Sequence, residues 1–206
     1  SDFAISDSHP DGRASSTVFM ERKRFMTLDY QGSGGYHFYY VIRAWNGHGS
    51  SRLLDYGKIN SVEEIRTLQA KWGILSENVA IDAGYKTKYI YRICAESVSD
   101  PWGAGYWTGW RAWMGEDHED YTIEQCRYLW NMTMVDKTML EEAPSHIQTI
   151  PLYKYALQGV LDRFDSMIHG QTTASWELYD GVDEQYRKEI GVYRRFEEPE
   201  WNGSKK

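Results

Sequence analysis

Two aspartates stand out by what surrounds them. Asp29 closes an apolar step in "TLDYQG", and Asp82 closes Val79-Ala80-Ile81 in "VAIDAGYKTKYIYRIC"; Gly-bearing turns follow both. Short apolar runs bounded by turn residues read as buried strands. A carboxylate at such an end must be paired, hydrated or bound to a cation, because an isolated buried charge is costly. If the two strand ends meet, the carboxylates repel and one pKa rises, unless a cation occupies the gap. Mg2+ and Mn2+ prefer hard oxygen ligands and often use one or two carboxylates with water and phosphate oxygens. In two-metal phosphodiester hydrolysis, one ion activates the attacking water and the other stabilises the leaving oxygen. The competing reading for each acid taken singly is a turn or cap residue. Asp55, in "LLDYGK", is assigned to a turn.

The acids can meet only if the intervening elements bring them together. Residues 1–24 are polar, end in "ERKR", and read as an extension or linker before a domain over 25–206. From Phe25, "FMTLDYQ", "YHFYYVIRAW" and "SSRLLDYGKI" read as three strands. "GSGG" separates the first two, and Asn46-Gly47 with His48-Gly49 separates the second and third, so the three form an antiparallel meander. Ser61-Val62-Glu63-Glu64 has the form of a capping box. Val62, Ile65, Leu68 and Trp72 follow at helical spacing, which predicts an amphipathic helix over 61–72. A fourth strand is expected over 79–82, then a helix in "YKTKYIYRICAE" presenting Tyr89, Ile90 and Ile93 inward. A short strand over 110–114, a strand-like stretch over 147–152, a helix over 153–169 and a short helix over 183–190 complete the expectation. The fold class is α/β, with a mixed sheet in which an antiparallel meander is flanked by helices. In that order the first and fourth strands can lie side by side, carrying Asp29 and Asp82 to one spot.

Composition narrows the partners. With 206 residues, 9 Trp and 16 Tyr, the chain has ample material for a core. No apolar run approaches the length of a membrane span and no signal-peptide pattern opens the chain, which points to no membrane partner. The start at Ser1-Asp2 suggests a processed chain or a fragment. A net charge of -7 argues against a strongly basic DNA-coating protein. It leaves room for an enzyme that meets DNA through metal ions, since divalent cations reverse the field of an acidic site. Cys94 and Cys126 show neither a disulfide framework nor metal-ligand spacing, in keeping with a reducing, cytoplasmic setting.

In "MTLDYQGSGGYHFYYVIRAW", "SRLLDYGKI" and "VAIDAGYKTKYIYRICAE", in that order and spacing, the chain resembles the nuclease domain of phage terminase large subunits, most closely the lambda-type group. The resemblance runs over 25–115 and loosens beyond. It implies a ribonuclease H-like fold and a metal-dependent endonuclease that cuts concatemeric DNA during viral genome packaging. It makes Asp29 the first acidic ligand and Asp82 the second, around two divalent cations, Mg2+ or Mn2+. The family's third acid follows a Trp in a later Asn-His…Asp stretch; this chain stops at "EWNGSKK", so that ligand is expected beyond Lys206. Asp180, Asp183 and Glu189 are candidates within the chain, without a spacing argument for any of them. The implied partners are double-stranded DNA, an upstream ATPase motor domain, the terminase small subunit and the portal, in the host cytoplasm. No Gly-rich run ending in Gly-Lys-Ser/Thr occurs in this chain, so the motor would be a separate domain. A Holliday-junction resolvase-like nuclease shares the acids, and a non-catalytic nucleic-acid-binding scaffold of the same fold is the rival from another class.

Other motifs have bland readings beside the sharp ones. Trp102, Trp107, Trp110 and Trp113 can stack on unpaired bases, but core or flap packing is the better assignment. Lys86 and Lys88 either meet phosphates or line a solvated helix face. His118, among Glu116, Asp117, Glu119 and Asp120, reads as an exposed acidic loop rather than a cation cluster.

Overall fold

The computed structural model describes residues 3–4, 19–98, 106–116, 130–136, 138, 144, 146–168, 170–179 and 181–191. Three long strands, β2 (Glu21–Gln31), β3 (His37–Asn46) and β4 (Ser51–Ile59), follow β1 (Phe3–Ala4) and form the expected antiparallel meander. Along β2 the side chains alternate: Met26, Leu28 and Tyr30 are buried, whereas Thr27 and Asp29 are exposed. This period of two sends one set to the core and the other to the opposite face. The first turn uses Gly34 and Gly35 at φ 75 and 102, a left-handed region that other residues avoid. In the second, the Asn46 carboxamide oxygen accepts from the backbone N–H groups of His48 (2.8 Å) and Ser50 (3.0 Å).

Helix α1 (Val62–Trp72) starts where its cap predicts. Ser61 Oγ accepts from Glu64 N–H, and the Glu64 carboxylate accepts from Asn60 N–H at 2.9 Å. It stops at Gly73, left-handed at φ 61, whose N–H and that of Ile74 close the last turn onto Ala70 and Gln69 carbonyls. The chain then enters β5 (Val79–Asp82), α2 (Thr87–Glu96) and β6 (Arg111–Glu116). Strand β5 inserts beside β2 in parallel, and β6 beside β5 in parallel. Beyond them lie β8 (Thr149–Ala156), parallel to β6, and β7 (Trp130–Asp136), antiparallel to β8 at the edge. After α3 (Leu157–Ile168) the chain returns to the far edge, where β9 (Trp176–Tyr179) pairs in parallel with β4 and precedes α4 (Glu184–Gly191). The strand order is β1-β9-β4-β3-β2-β5-β6-β8-β7.

One face of this mixed sheet holds the main core. Met26, Leu28, Phe38, Ile42, Val79 and Ile81 pack there against Ile65 of α1 and Ile90 and Ile93 of α2, as the helical spacing predicts. Trp107 and Trp110 belong to the same core: the Trp110 indole N–H donates to Gln69 Oε1 at 2.9 Å, and the Trp107 indole N–H donates to the Trp110 carbonyl at 2.9 Å. A smaller cluster, Leu53, Leu178 and Val182 with Tyr186 of α4, covers the opposite face around β4 and β9. Arg43 ties that corner together, donating to Ser51 Oγ and the Glu177 carbonyl with its guanidinium 4.0 Å from the Trp176 ring centre.

Several expectations are corrected. Glu21–Arg24 are strand, so β2 begins inside the range read as an extension, and Phe3–Ala4 pair with β9. Residues Tyr153–Ala156 were expected in a helix. They continue β8, because both of its edges are occupied, by β6 and β7. Strands β7 and β9 lie outside the expected elements, although "WNMTM" in β7 alternates apolar and polar residues. Asp55 lies within β4 rather than in a turn, where the register with β3 shifts. It accepts from the Trp72 indole N–H at 3.0 Å and so fastens β4 to α1. No helix among the described residues is long and apolar enough to cross a membrane.

Candidate functional site

The parallel register of β2 and β5 runs Met26 with Val79, Thr27 with Ala80, and Leu28 with Ile81. One step further along both strands sets Asp29 beside Asp82. Leu28 and Ile81 are buried in the core, so the next residue on each strand points to the other face. The two carboxylates therefore share one face at the carboxyl ends of adjacent central strands. Helix α1 makes this possible: it carries the chain from the end of the meander back to the start of β2's free edge.

The two acids differ in surroundings. Asp29 is exposed, and the Gln31 carboxamide donates to its Oδ2 at 2.7 Å. Gln31 stands two residues along the same strand, so the same alternation puts it on the same face; that spacing was readable in the sequence and was missed. Asp82 is partly buried, and its Oδ1 accepts from Gly84 N–H at 3.2 Å. Burial pushes the Asp82 carboxyl above the ordinary carboxylate range, and the charge of Asp29 adds to this; N–H groups of Gly84 and Ala83 pull the other way. A site that makes ionisation costly in this way favours a cation between the acids. Ala83 N–H in turn donates to the Trp113 carbonyl at 2.7 Å, which closes the strand end against β6.

Around the pair, the sheet register lays out a row of side chains on one face. Tyr39 on β3 stands opposite Asp29, and Lys58 on β4 stands opposite Tyr39. On the other side, Trp113 stands opposite Asp82, Tyr153 opposite Trp113, and Met132 opposite Tyr153. Trp113 stacks on Tyr153 with ring centres 4.9 Å apart and meets Trp130 edge-on at 6.0 Å. Of the tryptophans assigned to packing, Trp113 thus faces outward beside the acids while Trp107 and Trp110 are core.

His37 sits on β3 two residues before Tyr39 and is buried. Its Nδ1 lies 2.7 Å from the Gly35 carbonyl, which can only accept, so Nδ1 carries the proton. The buried Nε2 has no hydrogen-bond partner among the described residues.

Other candidates lie elsewhere. Asp183 accepts from the Tyr56 hydroxyl at 2.7 Å and caps α4 through Tyr186 N–H at 2.7 Å. Those two bonds hold its carboxyl below the ordinary range. It is committed to a helix end beside β4, two strands away from Asp29. Asp180 and the Glu189 side chain lie outside the described residues, as do Asp117, His118, Glu119 and Asp120. Glu116 is paired with Lys154 at 2.6 Å. Lys86 opens α2 at φ 51, with its ammonium 5.9 Å from the ring centres of both Tyr36 and Tyr85, and Lys88 is exposed on α2. Among the described residues no three His, Cys, Asp or Glu side chains gather as a metal-binding group. The described donor set is therefore the pair, with Gln31 beside it.

The chain has no significant match among protein-family models, curated proteins or solved structures.

Proposed function

We propose that this chain is a metal-dependent endonuclease domain with a ribonuclease H-like core, of the kind found in phage terminase large subunits, hydrolysing DNA phosphodiester bonds. The observation that carries the proposal is the convergence of Asp29 and Asp82. They lie far apart in sequence and sit side by side on one face, where burial first, and then the charge of Asp29, raise the Asp82 carboxyl pKa. A meander followed by a helix and an inserted parallel strand is the arrangement the family resemblance requires.

The carboxylates fit one hard divalent cation, Mg2+ or Mn2+, with water and a phosphate oxygen completing its coordination. A second ion would need a further acid from outside the described residues. Such an ion would supply Lewis-acid chemistry, polarising a phosphoryl oxygen and making a nearby water more acidic. Asp29, exposed and held by Gln31, and Asp82, partly buried and held by Gly84 N–H, would be its protein ligands. Neither acid forms a covalent intermediate. In the viral setting such a domain acts on DNA beside a motor domain, a small subunit and a portal, in the host cytoplasm.

Relaxation of supercoiled plasmid with Mn2+ tests the proposal. Wild type should nick the plasmid, and Asp29→Asn and Asp82→Asn should each lower the rate by about 100-fold or more, the scale on which a charge-stabilising group counts. Equal cleavage by wild type and both variants would overturn it.

A further inference from the structure

We propose that the face carrying Asp29 and Asp82 is a track for an unpaired nucleic-acid strand that crosses the sheet at right angles to its strands; this deepens the nuclease proposal and rests on it for the cutting step. The track is the row set by register. Tyr39 and Lys58 flank Asp29 on one side, while Trp113 and Tyr153, with Trp130 behind them, flank Asp82 on the other.

Three observations point to an unpaired strand. First, rings at both flanks are open to solvent: Tyr39 is 50% exposed and Trp130 is 48% exposed, although each is large and could be buried. Exposed aromatics along a groove give stacking platforms for bases, and the bases of an intact duplex are stacked on one another and out of reach. Second, cations are placed for phosphates. Lys58 is exposed, and the Arg111 guanidinium lies over Tyr153, 5.0 Å from its ring centre, with a buried Nε that has no hydrogen-bond partner. Arg111 lies opposite Ala80, two residues before the Asp82 level, on the same face as Trp113. Neither cation has a carboxylate partner among the described residues. Third, the dimensions fit. From β3 to β6 is three strand spacings, about 14 Å at roughly 4.8 Å each. That equals about four nucleotides at duplex rise and fewer in an extended strand, with the acids between the two ring positions.

The test separates binding from cutting. Fluorescence anisotropy with a labelled oligothymidylate and with a blunt duplex of equal length is measured in EDTA, where no cleavage can occur. Wild type should bind the single strand more tightly than the duplex. Trp130→Ala and Tyr39→Ala, both exposed positions that leave the core intact, should each weaken single-strand binding about five- to tenfold or more. Lys58→Ala should reduce the slope of log affinity against log salt by about 0.7. Asp82→Asn should bind as well as wild type or better. Duplex bound as tightly as single strand, or aromatic variants that bind like wild type, would overturn the track. If binding behaves as expected but Mn2+ produces no plasmid cleavage, the track stands and the nuclease proposal falls; cleavage with no single-strand preference gives the reverse.

Discussion

Asp82 carries its charge at a cost, and that cost can be measured. Its folded-state carboxyl is raised, first by burial and further by Asp29, whereas the unfolded chain imposes neither. Below the ordinary carboxyl pKa both states are protonated and the site exacts no penalty. As pH rises through the folded-state value, the folded protein is destabilised relative to a variant that cannot ionise. In EDTA, Asp82→Asn should therefore have a higher Tm than wild type at about pH 7, with the gap closing toward about pH 3. Added Mn2+ should raise the Tm of wild type and leave the variant nearly unchanged, because binding to the folded state alone stabilises it. A variant that melts below wild type at neutral pH would remove the electrostatic account of the pair. Gly109 is a second residue with a definite cost. A Cβ there would lie 2.1 Å from Val98 Cγ2, and Trp110 N–H donates to Ser97 Oγ at 2.8 Å just beside it. Gly109→Ala should lose about 1–3 kcal/mol by urea unfolding, the cost of overpacking a filled core.

The elements that deliver the acids are β2, α1 and β5. Strand β5 is four residues long, and its hold depends on side chains as much as on its ladder. Ile81 is fully buried directly before Asp82, among Leu28, Ile90 and Ala112. Ile81→Ala should cost about 2–5 kcal/mol in unfolding free energy, through lost transfer energy and a residual cavity. Ser61→Ala removes only the cap of α1 and should cost about 1 kcal/mol. Urea curves on both variants check the ranking, and a cap loss as large as the core loss would contradict it. These elements were also the legible ones. The alternation in β2, the capping box of α1 and the apolar run of β5 each state their structure within a few residues. The failures came where local pattern is ambiguous. "TIPLYKYALQGVLDRF" contains apolar residues that suit either a strand or a helix, and only pairing with β6 and β7 assigns Tyr153–Ala156 to β8.

At the scale of the molecule, charge and topology both work against the approach of a nucleic acid. A net charge of -7 repels nucleic acid, while the central face places two acids where a phosphate would have to approach. On the proposed function, a hard divalent cation would remove this repulsion by reversing the local field. At constant ionic strength, Ca2+ should therefore strengthen oligonucleotide binding to wild type, and Asp29→Asn should abolish the gain, as read by anisotropy. Ca2+ enhancement that survives in both aspartate variants would place the cation elsewhere.

The sequence by itself determined which residues alternate, where α1 starts and stops, and that two aspartates close apolar runs. These are local properties, fixed by side-chain type and by neighbours within a turn or two of chain. Only the tertiary structure decided that Asp29 and Asp82 are neighbours, that Asp55 fastens β4 to α1, and that Trp113 faces outward while Trp110 is core. Each of those depends on which strand inserts beside which, and in what register. A shift of one residue turns every side chain of a strand to the other face, so no short stretch of sequence can settle it.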